Sequence, residues 1–293
     1  MAAKRLILGT AQFGLPYGIS NPGGRVPAPE VAAILSLASA AGITGLDTAA
    51  AYGESETVIG AIAESQRFAI TTKTVPIRAD RITSDDVRRV EAGVARSLAL
   101  LRRSTLDALL VHDAGDLLAA GGERLWEALQ RLRSEGKVRR IGVSVYDGAQ
   151  IGAVTARYPV EVAQLPINAF DQRLLLDGSL ARLRARGVSV QARSAFLQGL
   201  MLMTASDVAA RLPRATEVVE RWHAACEVAG TTPVAAALGF VLAQPEIDHV
   251  VLGVHSRDHL AECLAAIETP AELSWDAVAC NDPDVVDPRR WAA

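Results

Sequence analysis

Cysteine is scarce in this chain. Three occur among 293 residues, Cys226, Cys263 and Cys280. Their number is odd, their spacing is wide and no Cys-x-x-Cys occurs, which excludes a disulfide framework, a zinc ribbon and a dithiol redox motif. Aromatic residues are also few, at 4% of the chain, so a broad aromatic pocket is not expected. No run of about 18 apolar residues is present, and no membrane-spanning helix is predicted. Met1-Ala2-Ala3-Lys4-Arg5 leads directly into Leu6 without a signal-peptide core, so a cytoplasmic location is expected. Basic residues never form a block of five, and the net charge is −3, which leaves no electrostatic case for a nucleic-acid partner. Gly-x-Gly-x-x-Gly and Gly-x-x-x-x-Gly-Lys-Ser/Thr are both absent. The first usually marks an open doubly wound sheet that binds a dinucleotide, and the second marks a P-loop.

What is present is an alternation. Half of the residues are hydrophobic. Short apolar runs fall at 6–9, 43–47, 68–73, 108–112, 140–145, 162–165, 188–193 and 250–253. They read as parallel strands buried on both faces. Helical periodicity fills the gaps. Val31, Ile34, Leu35 and Ala38 share one face, behind Pro27 and Pro29. Val87, Val90, Val94, Leu98 and Leu101 repeat at three and four, after the cap-like Thr83-x-x-Asp86. Leu125, Leu129 and Leu132 do the same before Gly136. Eight βα units in a chain of this length predict an α/β fold, a closed (β/α)8 TIM barrel. An irregular C-terminal tail is expected from about residue 270.

The polar residues at the run ends carry the chemistry. Asp47 ends the second run, and Tyr52 follows five residues later in Leu46-Asp47-Thr48-Ala49-Ala50-Ala51-Tyr52-Gly53. Lys73 ends the third run and His112 the fourth. In a TIM barrel these ends converge on one face, where active sites sit. A phenol that works near neutral pH needs a cation beside it, since its free pKa is about 10.

This order and spacing resemble the aldo-keto reductase superfamily over nearly the whole chain. Leu8-Gly9-Thr10-Ala11-Gln12-Phe13-Gly14 resembles the family's first strand and loop, and Gly142-Val143-Ser144 a segment from its middle. The resemblance implies one barrel domain over residues 1–293 and a catalytic tetrad of Asp47, Tyr52, Lys73 and His112. It implies NADPH as cofactor, with NADH left open, and reduction of an aldehyde or ketone to an alcohol. Tyr52 is the implied proton donor, Lys73 the cation beside it and Asp47 the partner of Lys73. His112 is implied to position the carbonyl oxygen. A sugar or aldose dehydrogenase on the same fold is the alternative. Another is a nucleotide-binding regulatory barrel with little turnover.

The resemblance also implies cofactor contacts. Thr10, Asp47, Ser144 and Gln164 fall at the nicotinamide end, followed by Arg193, Ser194, Leu197 and Gly199 in Arg193-Ser194-Ala195-Phe196-Leu197-Gln198-Gly199-Leu200. Gly253, His255, Arg257, Glu262 and Cys263 fall at the adenosine end, where a helix beginning near Ser256 could lend its N-terminal dipole to a phosphate. Two departures stand out. Val145 replaces the asparagine that usually follows Ser144. Arg193 stands where the family stacks an aromatic ring on the nicotinamide. A guanidinium can also stack, but a cation disfavours the positively charged oxidised ring, so a reductive bias is expected. His255 and His259, four apart and expected on one helix face, lack a third ligand, so no metal is expected. The expected partner is a small-molecule carbonyl substrate, with pocket walls from loops 16–25 and 170–176 and from the tail.

Overall fold

Eight strands form the scaffold: β1 (Leu6–Gly9), β2 (Gly45–Asp47), β3 (Ala69–Lys73), β4 (Leu106–Val111), β5 (Val138–Ser144), β6 (Val162–Pro166), β7 (Ser189–Arg193) and β8 (His249–Gly253). They pair in parallel in chain order, and β8 returns to β1, so the sheet is a closed barrel. The computed structural model describes residues 2–21, 23–269 and 273–291. Amphipathic helices alternate with the strands and cover the outside. Ala28–Ala40 buries Val31, Ile34, Leu35 and Ala38, the stripe expected from its spacing. Ser84–Leu101 opens on the expected capping box, in which Thr83 Oγ1 accepts from the Asp86 N–H and the Asp86 carboxylate accepts from the Thr83 N–H. Among the described residues no single helix is long and apolar enough to cross a membrane.

The strand–helix interface forms one continuous apolar layer, and a small separate cluster of Ala108, Leu110 and Val162 fills the barrel interior. Gly142 is required there. A Cβ on it would collide with the Val162 carbonyl and lie 2.7 Å from Leu110 Cδ2.

Strand limits differ from the apolar runs by one or two residues, each for a local reason. Ile43 is buried but stays out of β2, because its N–H closes the preceding helix on the Ala38 carbonyl. His112 leaves β4, because its N–H donates to Thr74 Oγ1 instead of the ladder. Leu106 and Asp107 extend β4 at its start. The charge of Asp107 masks this, but its carboxylate accepts from the Ile70 N–H and pairs with Arg139.

Of the tail expected from about residue 270, 270–272 and 292–293 lie outside the described residues, as does Pro22 in loop 16–25. The rest makes three short turns, Trp275–Val278, Pro283–Val286 and Pro288–Arg290. They are tied to the loop after β6. Gln172 Nε2 donates to the Trp275 carbonyl, and the Cys280 N–H donates to the Phe170 carbonyl. The tail then reaches the loop after β5, where the Arg289 guanidinium carbon lies 3.5 Å from the centre of the Tyr146 ring.

Candidate active site

The strand ends open into a cleft lined by Gly9, Thr10, Asp47, Tyr52, Gln164 and Arg193. Its floor is set by a polar knot that the run ends alone do not reveal. Ser55 Oγ donates to the Thr10 carbonyl and lies 2.8 Å from Thr10 Oγ1 and 3.1 Å from Thr48 Oγ1. Thr10 Oγ1 in turn donates to the Asp47 carbonyl. The ends of β1 and β2 are thereby pinned to the helix Ser55–Ala61. Gly14 lets this loop close. A Cβ at Gly14 would collide with the Tyr52 carbonyl and the Ser55 N–H. Tyr52 is thus held at one place on the cleft wall.

Beneath the cleft lies a buried ion pair. Lys73 and Asp47 are each 2% exposed. Lys73 Nζ donates to Asp47 Oδ1 at 2.8 Å, to Oδ2 at 2.7 Å and to the Thr48 carbonyl at 3.0 Å. Burial alone lowers a lysine pKa. Here the Asp47 charge, Tyr52 and the hydrogen bonds of the ammonium together outweigh it, and Lys73 is held above its ordinary value. Nζ sits 5.0 Å from the centre of the Tyr52 ring. His112 packs edge-on against the same ring, with centres 6.0 Å apart. Asp47, Tyr52, Lys73 and His112 therefore meet at one end of the barrel.

Burial pushes the His112 pKa down to about 4, with Lys73, Arg193 and Arg78 acting in the same direction. The imidazole is neutral at pH 7, with one donor and one acceptor nitrogen. An unfolded histidine titrates near 6.5. The unfolded chain therefore binds the extra proton between about 4 and 6.5, and stability must fall as pH drops through that window. His259, also lowered to about 4, adds in the same sense. We expect the melting temperature to decline from pH 6.5 to 4, with a shallower slope in His112→Gln. Equal slopes in the two proteins would assign the acid sensitivity elsewhere.

Gln164 joins the pair to the wall. Its Nε2 donates to Asp47 Oδ1 at 2.7 Å and to Gln191 Oε1 at 3.1 Å, and its own Oε1 is buried with no partner among the described residues. Such an acceptor suits a carboxamide N–H, so the residues present fit a nicotinamide. Thr10, Asp47, Tyr52, Gln164, Arg193, Ser194, Gly199, Gly253 and His255 all line the cleft. Ser144 ends β5 in register with Gln164 and is 4% exposed. Val145, in the asparagine's place, is buried, and its carbonyl accepts from Arg193.

Several expected contacts fall elsewhere. Cys263 is fully buried in the core and its thiol is pushed up to about 12 by burial, because Leu260 and Cys263 share the inward face of the helix Arg257–Ala266. Leu197 is 1% exposed, so its side chain packs in the core. Arg257 and Glu262 are exposed and do not line the cleft. The dipole of that helix is already partnered: Ser256 Oγ accepts from the His259 N–H, and Glu30 Oε1 accepts from the Arg257 N–H at 2.6 Å. His255 precedes the cap, so the two histidines do not share a helix face. Their Nδ1 atoms still approach to 2.9 Å. Among the described residues no group of three His, Cys, Asp or Glu could hold a metal ion. Arg193 does not present a free face on both sides, because its guanidinium carbon lies 4.2 Å from the centre of the Tyr146 ring.

Tyr17 lines the cleft from loop 16–25, an expected wall; sequence reasoning missed Gln12, Phe196 and Gln198 on the cleft wall, and the buried Glu56. Glu56 accepts from Thr72 and Ser97, and burial raises its pKa. Its signal was a carboxylate on the buried face of a helix, one residue after Ser55.

Comparison with known proteins agrees with this architecture. The model of the aldo/keto reductase family matches residues 5–279. L-galactose dehydrogenase of Arabidopsis thaliana is 26% identical over 277 residues, 90% of this chain and 86% of that protein. Oxidoreductase YdhF of Escherichia coli K12 is 37% identical over 91 residues, and the chain spans only 30% of that relative's length. Among solved structures, aldo-keto reductase AKR11C1 from Bacillus halodurans superposes with a TM-score of 0.75 at 18% identity, over 98% of this chain and 95% of that one, a likeness of fold alone. The chain belongs to the aldo/keto reductase family.

Proposed function

We propose that this chain is an NADPH-dependent reductase of an aldehyde or ketone, with Tyr52 as proton donor. The observation that carries the reading is the buried Lys73–Asp47 pair set beneath the Tyr52 ring at the floor of the cleft. A bound nicotinamide supplies the hydride. Tyr52 gives its hydroxyl proton to the carbonyl oxygen as negative charge develops there. Lys73 stabilises the phenolate that remains, and Asp47 keeps the ammonium charged and aimed. The neutral His112 donates a hydrogen bond that orients the carbonyl oxygen. Ser144 and Gln164 would hold the carboxamide, and Ser194 and Gly199 would line the path toward the phosphates. NADPH is proposed over NADH from the habit of the family, with His255 on the cleft wall as the candidate partner for a phosphate. The three unpaired cysteines fit a reducing, cytoplasmic setting.

A panel of aldehydes, ketones and aldoses, offered with NADPH and with NADH, tests this. Oxidation of NADPH should exceed that of NADH. No oxidation with any carbonyl would sink the reading. The likeness to L-galactose dehydrogenase favours a second reading, the same site run oxidatively on a sugar. NADP+ reduction by aldoses, faster than any carbonyl reduction, would select it. A complete Asp–Tyr–Lys–His group argues against a purely regulatory barrel.

A further inference from the structure

We propose that Arg193 anchors an anionic group of the substrate, so that the carbonyl compound reduced here carries a carboxylate or a phosphate. This rests on the reductase reading of the same site. A guanidinium has five N–H donors. Arg193 makes two contacts, both long: 3.5 Å to Ser194 Oγ and 3.3 Å to the Val145 carbonyl. Among the described residues it makes no ion pair. The other cations near the strand ends are matched: Lys73 with Asp47, Arg78 with Asp113, Arg173 with Asp171 and Arg289 with Asp287. Asp47 is the one carboxylate among the described cleft-lining residues, and Lys73 takes it. Arg193 is left as the unbalanced positive charge on the wall.

Its position is prepared. The Tyr146 ring carries the Arg193 guanidinium at 4.2 Å and the Arg289 guanidinium at 3.5 Å, and Asp287 grips Arg289 through both oxygens. A stacked guanidinium keeps its edge donors free for a planar or tetrahedral anion. The tail thus helps to fix a residue of the cleft. The Arg193 charge is also felt at the other groups of the mouth, lowering the pKa of His112 and acting on Tyr17. Arg193 and Tyr52 line the same cleft, so one small substrate can meet both. A neutral carbonyl compound would cover Arg193 without a partner, and a site built around a polar group rejects a ligand that leaves it unpaired.

The test compares matched pairs: 4-carboxybenzaldehyde with 4-methylbenzaldehyde, and glyceraldehyde 3-phosphate with glyceraldehyde. We expect a higher kcat/KM for the anionic member of at least one pair. Arg193→Met should shrink that preference by about 10- to 100-fold, the usual worth of a hydrogen bond to a charged group, and Arg193→Lys should restore part of it. In parallel, 4-methylbenzoate and inorganic phosphate are titrated calorimetrically into the protein. One should bind to the wild type and weaken in Arg193→Met, and the pair and anion that respond identify carboxylate or phosphate. Equal losses for charged and neutral members would overturn the proposal. So would anion binding that ignores Arg193, or NADPH binding that weakens as much as anion binding does. Should no carbonyl be turned over, the reductase reading fails, and the anion titration alone decides Arg193.

Discussion

Replacing Tyr52 with Phe should lower kcat by about 100- to 10,000-fold, the usual worth of a positioned general acid. The change removes one oxygen and leaves the ring. The ring packs against His112 and lies near Lys73, and both contacts survive. The loop is also kept, since Gly14 closes on the backbone of Tyr52 rather than on its side chain. Cofactor affinity should therefore stay within a few-fold. This split separates a proton donor from a wall residue, because a wall residue would raise KM and leave kcat alone. Steady-state kinetics on a good carbonyl substrate and a fluorescence titration with NADPH read both halves. Turnover near the wild-type value in Tyr52→Phe would remove Tyr52 from the chemistry.

The second large effect is expected at Lys73, on stability as well as on rate. Lys73→Met keeps the length of the side chain and deletes its charge. Asp47 would then be buried with only Gln164 Nε2 as a side-chain partner among the described residues. Breaking a buried pair by removing one member costs about 3–5 kcal/mol, against a total stability of about 5–15 kcal/mol for a typical domain. The double variant Asp47→Leu/Lys73→Met removes both charges and should regain much of that loss. It should not regain activity, because the phenolate formed during reduction has no counter-charge. Denaturant melts and kinetics on wild type, single and double variants separate the two roles. A double variant that recovers both stability and turnover would make Lys73 structural only. In any residual activity of the single variant, the pH–rate profile should change, since the cation beside Tyr52 is gone. An unchanged profile would count against the assigned role.

The order of strands, and with it the gathering of Asp47, Tyr52, Lys73 and His112, was readable from the chain. Apolar runs of strand length alternate with helical stripes, and a closed parallel barrel brings every strand end to one face. Residue spacing then suffices to collect side chains that are far apart along the chain. Cys263, expected at the adenosine end, turns inward instead, because Leu260 lies three residues earlier and shares its side of the helix. Other features depended on how loops pack over the barrel. The Thr10–Ser55–Thr48 knot joins hydroxyls of three segments, and nothing in a Ser or Thr forecasts such a partner. Glu30 at the N-terminus of another helix displaced the expected use of the Arg257 end, because two helices adjacent in space are not adjacent in the chain. Arg193 is the clearest case. The sequence by itself established that a cation stands at the end of β7. Only the tertiary structure decided what it faces, because the loop after β5 brings Tyr146 beneath its guanidinium and the tail adds Arg289 to the same ring.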